Sequence, residues 1–146
     1  MKTNVVWNQN MNFTGTNDKQ AVVMDAKSPI GRGEGLTPKE LVAIGMAGCS
    51  AMDVIALMKK HKQNVTSFSV AANVETSASG HPVVFTKAEL VYNIGGENLD
   101  NAKVIEAVEL SQSEYCGVSA MLSKAFPIEY RILVNQEQIA TGKASF

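Results

Sequence analysis

The sequence predicts an α+β fold of one domain, residues 1–146, with the order βββ-α-ββ-αα-β and a long buried helix at its centre. Three observations predict it. Apolar and polar residues alternate in separate groups before and after a single long apolar stretch. That stretch opens with an unusually clear helix start, Thr37-Pro38-Lys39-Glu40. The segments after it switch from a strand pair to helical spacing and back to a strand, with neither repeats nor linkers, which is the pattern of an α+β domain.

The first strand runs from Met1 to Trp7, with Val5 and Trp7 alternating, and Asn8-Gln9-Asn10 turns the chain. Met11 to Thr14 forms a second short strand anchored by Phe13, and Gln20 to Asp25 a third, giving a small antiparallel meander. Lys27 to Leu36 holds three glycines and a proline and reads as loop. It also carries Arg32, one of only two arginines in the chain.

Thr37 suits the N-cap, Pro38 the first helical position, and Glu40 the reciprocal place of a capping box. The following LVAIGMAGCSAMDVIALM is apolar or small all the way round, apart from Ser50 and Asp53, as expected of a helix covered on every side. From Thr37 to Lys60 it spans roughly 36 Å at about 1.5 Å per residue. A compact chain of this size has a radius of gyration near about 15 Å. One sheet covers one face of such a helix, so the other needs either further helices of the same chain or a second subunit. Gly45, Ala47, Gly48, Ser50 and Ala51 leave little bulk on part of its surface, which favours a homodimer through or beside this helix.

The helix ends at His61-Lys62, where basic residues suit the C-terminal dipole, and His61 is expected to be exposed. Val65 to Ala78 alternates as a long strand, Ser77 to His81 turns, and Pro82 to Ile94 returns, closed by Gly95 and Gly96. Asn101 to Ser111 is an amphipathic helix with Val104, Ala107 and Val108 on one side. The pattern restarts near Cys116 as a short helix over Gly117 to Leu122, and Pro127 stops it. Ile128 to Val134 is the last strand, and Asn135 to Phe146 reads as a turn and a short arm.

Composition excludes several functions. Net charge is −1, with 18% charged residues, so no nucleic-acid surface is expected. The apolar helix is long enough for a membrane span, but Asp53 lies within it and the rest patterns as a soluble globule, so no membrane partner is expected. Only a short apolar run follows Met1-Lys2-Thr3-Asn4, so no export signal is expected and the expected compartment is the cytoplasm.

Two cysteines, Cys49 and Cys116, are the candidate chemistry, set against the plain alternative of two unrelated buried thiols. A cytosolic chain has little use for a structural disulfide. Cys116 falls near a helix start, where the dipole favours a thiolate, whereas Cys49 is about three turns inside its helix and needs another source of acidity. Arg32, in the loop ahead of the helix, is the preferred one over Arg131. The order Cys49, His61, His81, Cys116 has no short metal-binding pair, so no metal is expected, and no cofactor motif is present. Neither histidine has a setting that suggests a cysteine-histidine hydrolase. Asp53, one turn after Cys49 on the same face, is placed to accept hydrogen bonds from the site or from neighbouring backbone; since an anion there hinders thiolate formation, it reads as structural. Glu40 lies nine residues from Cys49, roughly 13 Å along the axis and on the opposite side, so as a site carboxylate it would meet a partner subunit's cysteine more easily than its own.

The segment G-x-G-L-T-P-K-E-L, then Cys49 in A-G-C-S-A-M-D-V and Cys116 in A-V-E-L-S-Q-S-E-Y-C-G-V, resembles the OsmC/Ohr family (osmotically inducible protein C and organic hydroperoxide resistance proteins), nearest its YhfA-like branch. The early F-T-G and V-V-M-D segments extend the resemblance over nearly the whole chain. It implies an intertwined homodimer with two long central helices and sheets wrapped outside. It also implies reduction of organic hydroperoxides, with Cys49 peroxidatic, Cys116 resolving, and a dithiol or lipoyl-type reductant restoring both. Arg32, in R-G-E-G, takes the place of the family arginine. The family glutamate directly follows the proline; here Lys39 does, and Glu40 comes one later. A second reading keeps the dimer without the peroxidase: a protein that binds a hydrophobic or thiol-bearing ligand in the same cleft and uses its cysteines as a redox sensor.

Overall fold

Where the sequence alternates, the chain pairs into two separate sheets. A computed structural model describes all residues, Met1–Phe146. The first sheet is the meander β1 (Asn4–Gln9), β2 (Asn12–Thr16) and β3 (Ala21–Met24), antiparallel in sequence order. Asn10 takes a left-handed φ of 53° in the β1–β2 turn, and its carbonyl accepts the Trp7 indole N–H at 2.8 Å. After β3, the Asp25 carboxylate folds the next loop around itself. Its Oδ2 accepts the backbone N–H groups of Arg32 and Glu34, each at 3.1 Å. This order suits a loop with no ladder of its own, because buried backbone groups must find partners.

Helix α1 (Pro38–Lys60) begins with the predicted capping box: Glu40 Oε2 accepts the Thr37 N–H at 2.8 Å and Thr37 Oγ1 accepts the Glu40 N–H at 3.3 Å. The chain divides into two compact units, Met1–Ala43 and Ile44–Phe146, with the boundary inside this helix.

In the C-terminal unit, β4 (Val65–Thr76) and β5 (Phe85–Gly96) form the predicted long hairpin, in register through Ala72 opposite Leu90. Next come α2 (Asn101–Leu110), a π turn (Ser111–Tyr115), and α3 (Gly117–Leu122). This helical crossover lets β6 (Ile128–Val134) lie parallel to β5, as such a connection permits. The predicted order holds, with one strand added. The tail forms β7 (Glu137–Lys143), antiparallel to β6, through a two-residue turn in which Asn135 and Gln136 both have positive φ, 49° and 73°. That is the geometry of a type I′ hairpin.

The core lies on one face of β5 and β6. Ala88, Leu90, Tyr92 and Ile94 alternate on β5, and Ile128, Tyr130, Ile132 and Val134 on β6, all buried. Val104, Ala107 and Val108 of α2 join them, as does an α1 stripe of Met46, Ser50, Val54 and Met58 at four-residue spacing. The helix is therefore not covered all round within one chain: Val42, Ile44 and Met52 stay exposed. His61, expected to be exposed, is half-buried, with Nε2 3.9 Å from Glu106.

Candidate thiol site

The C-terminal unit brings the two cysteines together. Cys49 sits on the middle turns of α1, half-buried, and Asp53 follows it by one turn on the same side. Cys116 arrives from the crossover. The π turn widens the end of α2, and the Cys116 N–H closes it on the Ser111 carbonyl at 2.9 Å. Such turns recur at functional positions because they shift the register of the residues that follow. Cys116 then caps α3, and its Sγ accepts the Ser119 N–H at 3.4 Å. Both thiols are free, and the sulfurs of Cys49 and Cys116 and a carboxylate oxygen of Asp53 lie within 4.8 Å of one another. A disulfide needs about 2 Å between sulfurs, so closing one requires less than about 3 Å of movement.

Beneath the thiols lies a wholly buried polar chain. Ser50 Oγ bonds the Tyr92 hydroxyl at 2.6 Å and Ser111 Oγ at 2.7 Å. Gln112 Nε2 donates to Ser50 Oγ at 2.9 Å and to the Tyr92 hydroxyl at 3.1 Å. Ser111 Oγ donates in turn to Asp53 Oδ2 at 3.2 Å. Three elements, α1, β5 and the π turn, are thereby pinned at one point. The Tyr92 ring also stands edge-on to Tyr130, centroids 6.3 Å apart.

The titration of these groups follows from their burial. Desolvation pushes the Cys116 thiol up, partly opposed by its bond from Ser119, so the thiol is neutral at neutral pH. Burial likewise raises Tyr92 against its bonds to Ser50 and Gln112. Asp53 is raised by burial, with the Ser111 hydroxyl pulling the other way. The three clustered groups also form a possible donor set for a metal, two sulfurs and one carboxylate, with no histidine in the group. A structural zinc site takes four protein ligands.

Arg32 and Glu40 belong to the N-terminal unit and are engaged there. Arg32 is exposed, its Nη1 3.8 Å from Glu34, and it borders a small cavity of about 210 Å³ with Asn8, Asn12 and Asp25. Glu40 pairs with Lys27 Nζ at 2.6 Å. That contact first, and the Thr37 bonds second, hold its carboxyl down at about 2. The same unit holds a larger apolar cavity of about 940 Å³ lined by Val5, Met11, Phe13, Met24 and Ile30.

The Ser50–Tyr92–Ser111–Gln112 chain is not legible in the sequence, whereas Asp53 accepts a hydrogen bond from Ser111 as its place beside Cys49 allows. Part of the signal was present: Ser50 and Asp53 are the polar exceptions on an otherwise apolar helix, and buried polar groups need partners. Tyr92 and Gln112 gave no comparable sign, since each fits an ordinary strand or helix position.

Comparison with known proteins agrees with this architecture. A family model described as OsmC-like protein matches residues 31–131. Protein YhfA of Escherichia coli (strain K12) is 32% identical over 131 residues, covering 89% of this chain and 95% of its own. Among solved structures, an OsmC-like protein from Mycoplasma pneumoniae superposes with a TM-score of 0.79 at 14% identity, covering 91% of this chain and 95% of its own. An organic hydroperoxide resistance protein from Elizabethkingia anophelis gives a TM-score of 0.68 at 16% identity, covering 91% of this chain and 94% of its own. At these identities the two structures are alike in fold.

Proposed function

The chain belongs to the OsmC-like family, and we propose that it is a thiol peroxidase that reduces organic hydroperoxides through Cys49 and Cys116. The observation that carries this reading is the pair of free thiols within 4.8 Å at unequal depth, Cys49 half-buried and Cys116 fully buried. In the cycle, the Cys49 thiolate attacks the terminal oxygen of the hydroperoxide. The O–O bond breaks, the alcohol leaves once its oxygen is protonated, and Cys49 holds a sulfenic acid. The Cys116 sulfur then attacks the Cys49 sulfur, the S–O bond breaks, water leaves, and a disulfide joins the two. A dithiol, lipoyl-type carriers included, reduces it by exchange and is itself oxidised to a disulfide. The raised, neutral thiol of Cys116 suits a group that waits for the sulfenic acid rather than one that meets the peroxide first.

By family resemblance Arg32 and Glu40 join the proposed site, Arg32 favouring the thiolate and Glu40 orienting the guanidinium across the proposed dimer, since Glu40 lies on the far side of its helix from Cys49. The proposed working form is an intertwined cytoplasmic homodimer of a single-domain chain, residues 1–146. Support for the dimer comes from the outer side of α1, where Ile44 is 50% and Met52 73% exposed and a side chain added at Gly45 or Gly48 would meet open space. Such apolar exposure on one helix marks an interaction surface.

The test is steady-state consumption of cumene hydroperoxide with a dithiol reductant. Fast, dithiol-dependent turnover that falls to the uncatalysed rate in Cys49→Ser is expected; slow loss that ignores the dithiol contradicts the reading. A second reading keeps the dimer without the peroxidase, binding a hydrophobic or thiol-bearing ligand in the cleft of the cysteines and sensing redox state through them; the half-buried Cys49 beside a buried Cys116 suits it. A ligand bound equally well by wild type and Cys49→Ser, without peroxide turnover, supports it.

A further inference from the structure

Resolution poses a chemical problem that the thiol pair alone does not solve. The attacking group, Cys116, is fully buried and carries its proton, and the group it displaces from sulfur is hydroxide. One proton must leave Cys116 Sγ and another equivalent must reach the departing oxygen. The histidines do not serve this site: His61 faces Glu106 and His81 lies in the hairpin between β4 and β5. The carboxylate of Asp53 is the titratable oxygen grouped with both sulfurs, at a distance that a direct contact after small movement or a single bridging water spans.

We propose that Asp53 is the proton shuttle of resolution, taking the proton of Cys116 as its sulfur attacks Cys49 sulfenic acid and handing it to the departing hydroxide, which leaves as water. The balance is complete: Cys49–SOH and Cys116–SH become a disulfide and water, and Asp53 ends as it began. This inference rests on the peroxidase reading.

The surroundings of Asp53 fit the task. Ser111 holds Oδ2, and Ser111 is itself fixed by Ser50, which Gln112 and Tyr92 hold in turn. The carboxylate is thus positioned from beneath by a rigid, buried chain. Titratable groups around it are the two thiols and, through Ser111 and Ser50, the Tyr92 phenol, which burial keeps neutral. Burial also raises the proton affinity of Asp53 toward what a thiol proton requires of a base.

The test follows two rates in a single turnover. Reduced protein is mixed with cumene hydroperoxide and quenched with a sulfenic-selective probe and a thiol alkylator, and the species are counted by mass. In Asp53→Asn, Cys49 oxidation should persist while disulfide formation slows by about a hundredfold, so that trapped sulfenic acid accumulates. The residual closing rate should rise with pH as Cys116 ionises unaided, and Asp53→Glu should restore much of the wild-type rate. Closure at the wild-type rate in Asp53→Asn overturns the proposal, as does a slowed rate with an unchanged pH profile. If Asp53→Asn does not fold, Ser111→Ala, which releases Oδ2, should show a smaller slowing of the same step. Should wild-type Cys49 not react with the organic hydroperoxide, the peroxidase reading fails; excess hydrogen peroxide then generates the sulfenic acid, and the closing step is scored separately.

Discussion

The two sheets of this protein have opposite surfaces. The four-stranded sheet of the C-terminal unit buries Leu90, Tyr92 and Ile132 completely beneath helices of the same chain. The three-stranded sheet of the N-terminal unit leaves Trp7 62% exposed, and every residue of β1 is exposed. The first has its hydrophobic effect satisfied inside one chain, and the thiol pair is built on it. The second, together with the outer side of α1, presents apolar surface that a single chain does not cover. The difference sets the thiol pair on a sheet covered by its own chain and leaves the proposed dimer the open surfaces.

Substitutions on the two kinds of surface sharpen that contrast. Leu90→Ala should cost about 3 kcal/mol in chemical denaturation at every protein concentration, because it opens a cavity in a closed core. Met52→Glu, on exposed α1, should change the stability of the isolated chain by less than about 0.5 kcal/mol while abolishing the proposed dimer, with sedimentation as the readout. Equal denaturation costs for the two, or a dimer that survives Met52→Glu, would break the contrast. Tyr92→Phe should cost about 1–3 kcal/mol, because Ser50 and Gln112 stay buried while a shared partner is lost. It should also loosen the seat of Asp53.

The smallest effects belong to the N-terminal unit's cap. Thr37→Ala should cost about 1 kcal/mol, with the Glu40 side of the box left behind. Glu40 has its carboxyl lowered from 4.5 to about 2, so its contribution is present above pH 4.5 and is lost as pH falls toward 2. Wild type and Glu40→Gln should therefore converge in stability over that acid window, measured by thermal melts. Asp53 has the opposite sign. Its raised carboxyl favours folding below its unfolded value, and the advantage fades as pH rises through the folded one. Asp53→Asn should then match or exceed wild type in melting temperature at neutral pH, even though it slows resolution.

The sequence revealed the fold where local chemistry and tertiary packing agreed. The capping box at Thr37 and Glu40, the alternation of β4 and β5, and the amphipathic α2 all formed as their residues suggest. Strand β7 was hidden because its hairpin uses Asn135-Gln136 at positive φ in place of a glycine turn. The π turn was hidden because five-residue turns leave no periodic mark in Ser111–Tyr115. At the site, both cysteines were legible, since few residue types carry such chemistry. Asp53 is legible as a polar exception on an apolar helix, but its neighbours Ser111 and Cys116 arrive from distant sequence. Burial raises its carboxyl and the Ser111 hydroxyl opposes that rise.

Whether the two neighbouring thiols act as one redox unit is tested most directly by counting thiols after a single equivalent of cumene hydroperoxide. Wild-type protein should lose both thiols together and yield a Cys49–Cys116 disulfide within one chain, while Cys116→Ser should lose one and hold a trappable sulfenic acid. Retention of both thiols in the wild type, or a disulfide joining any other pair, would contradict it.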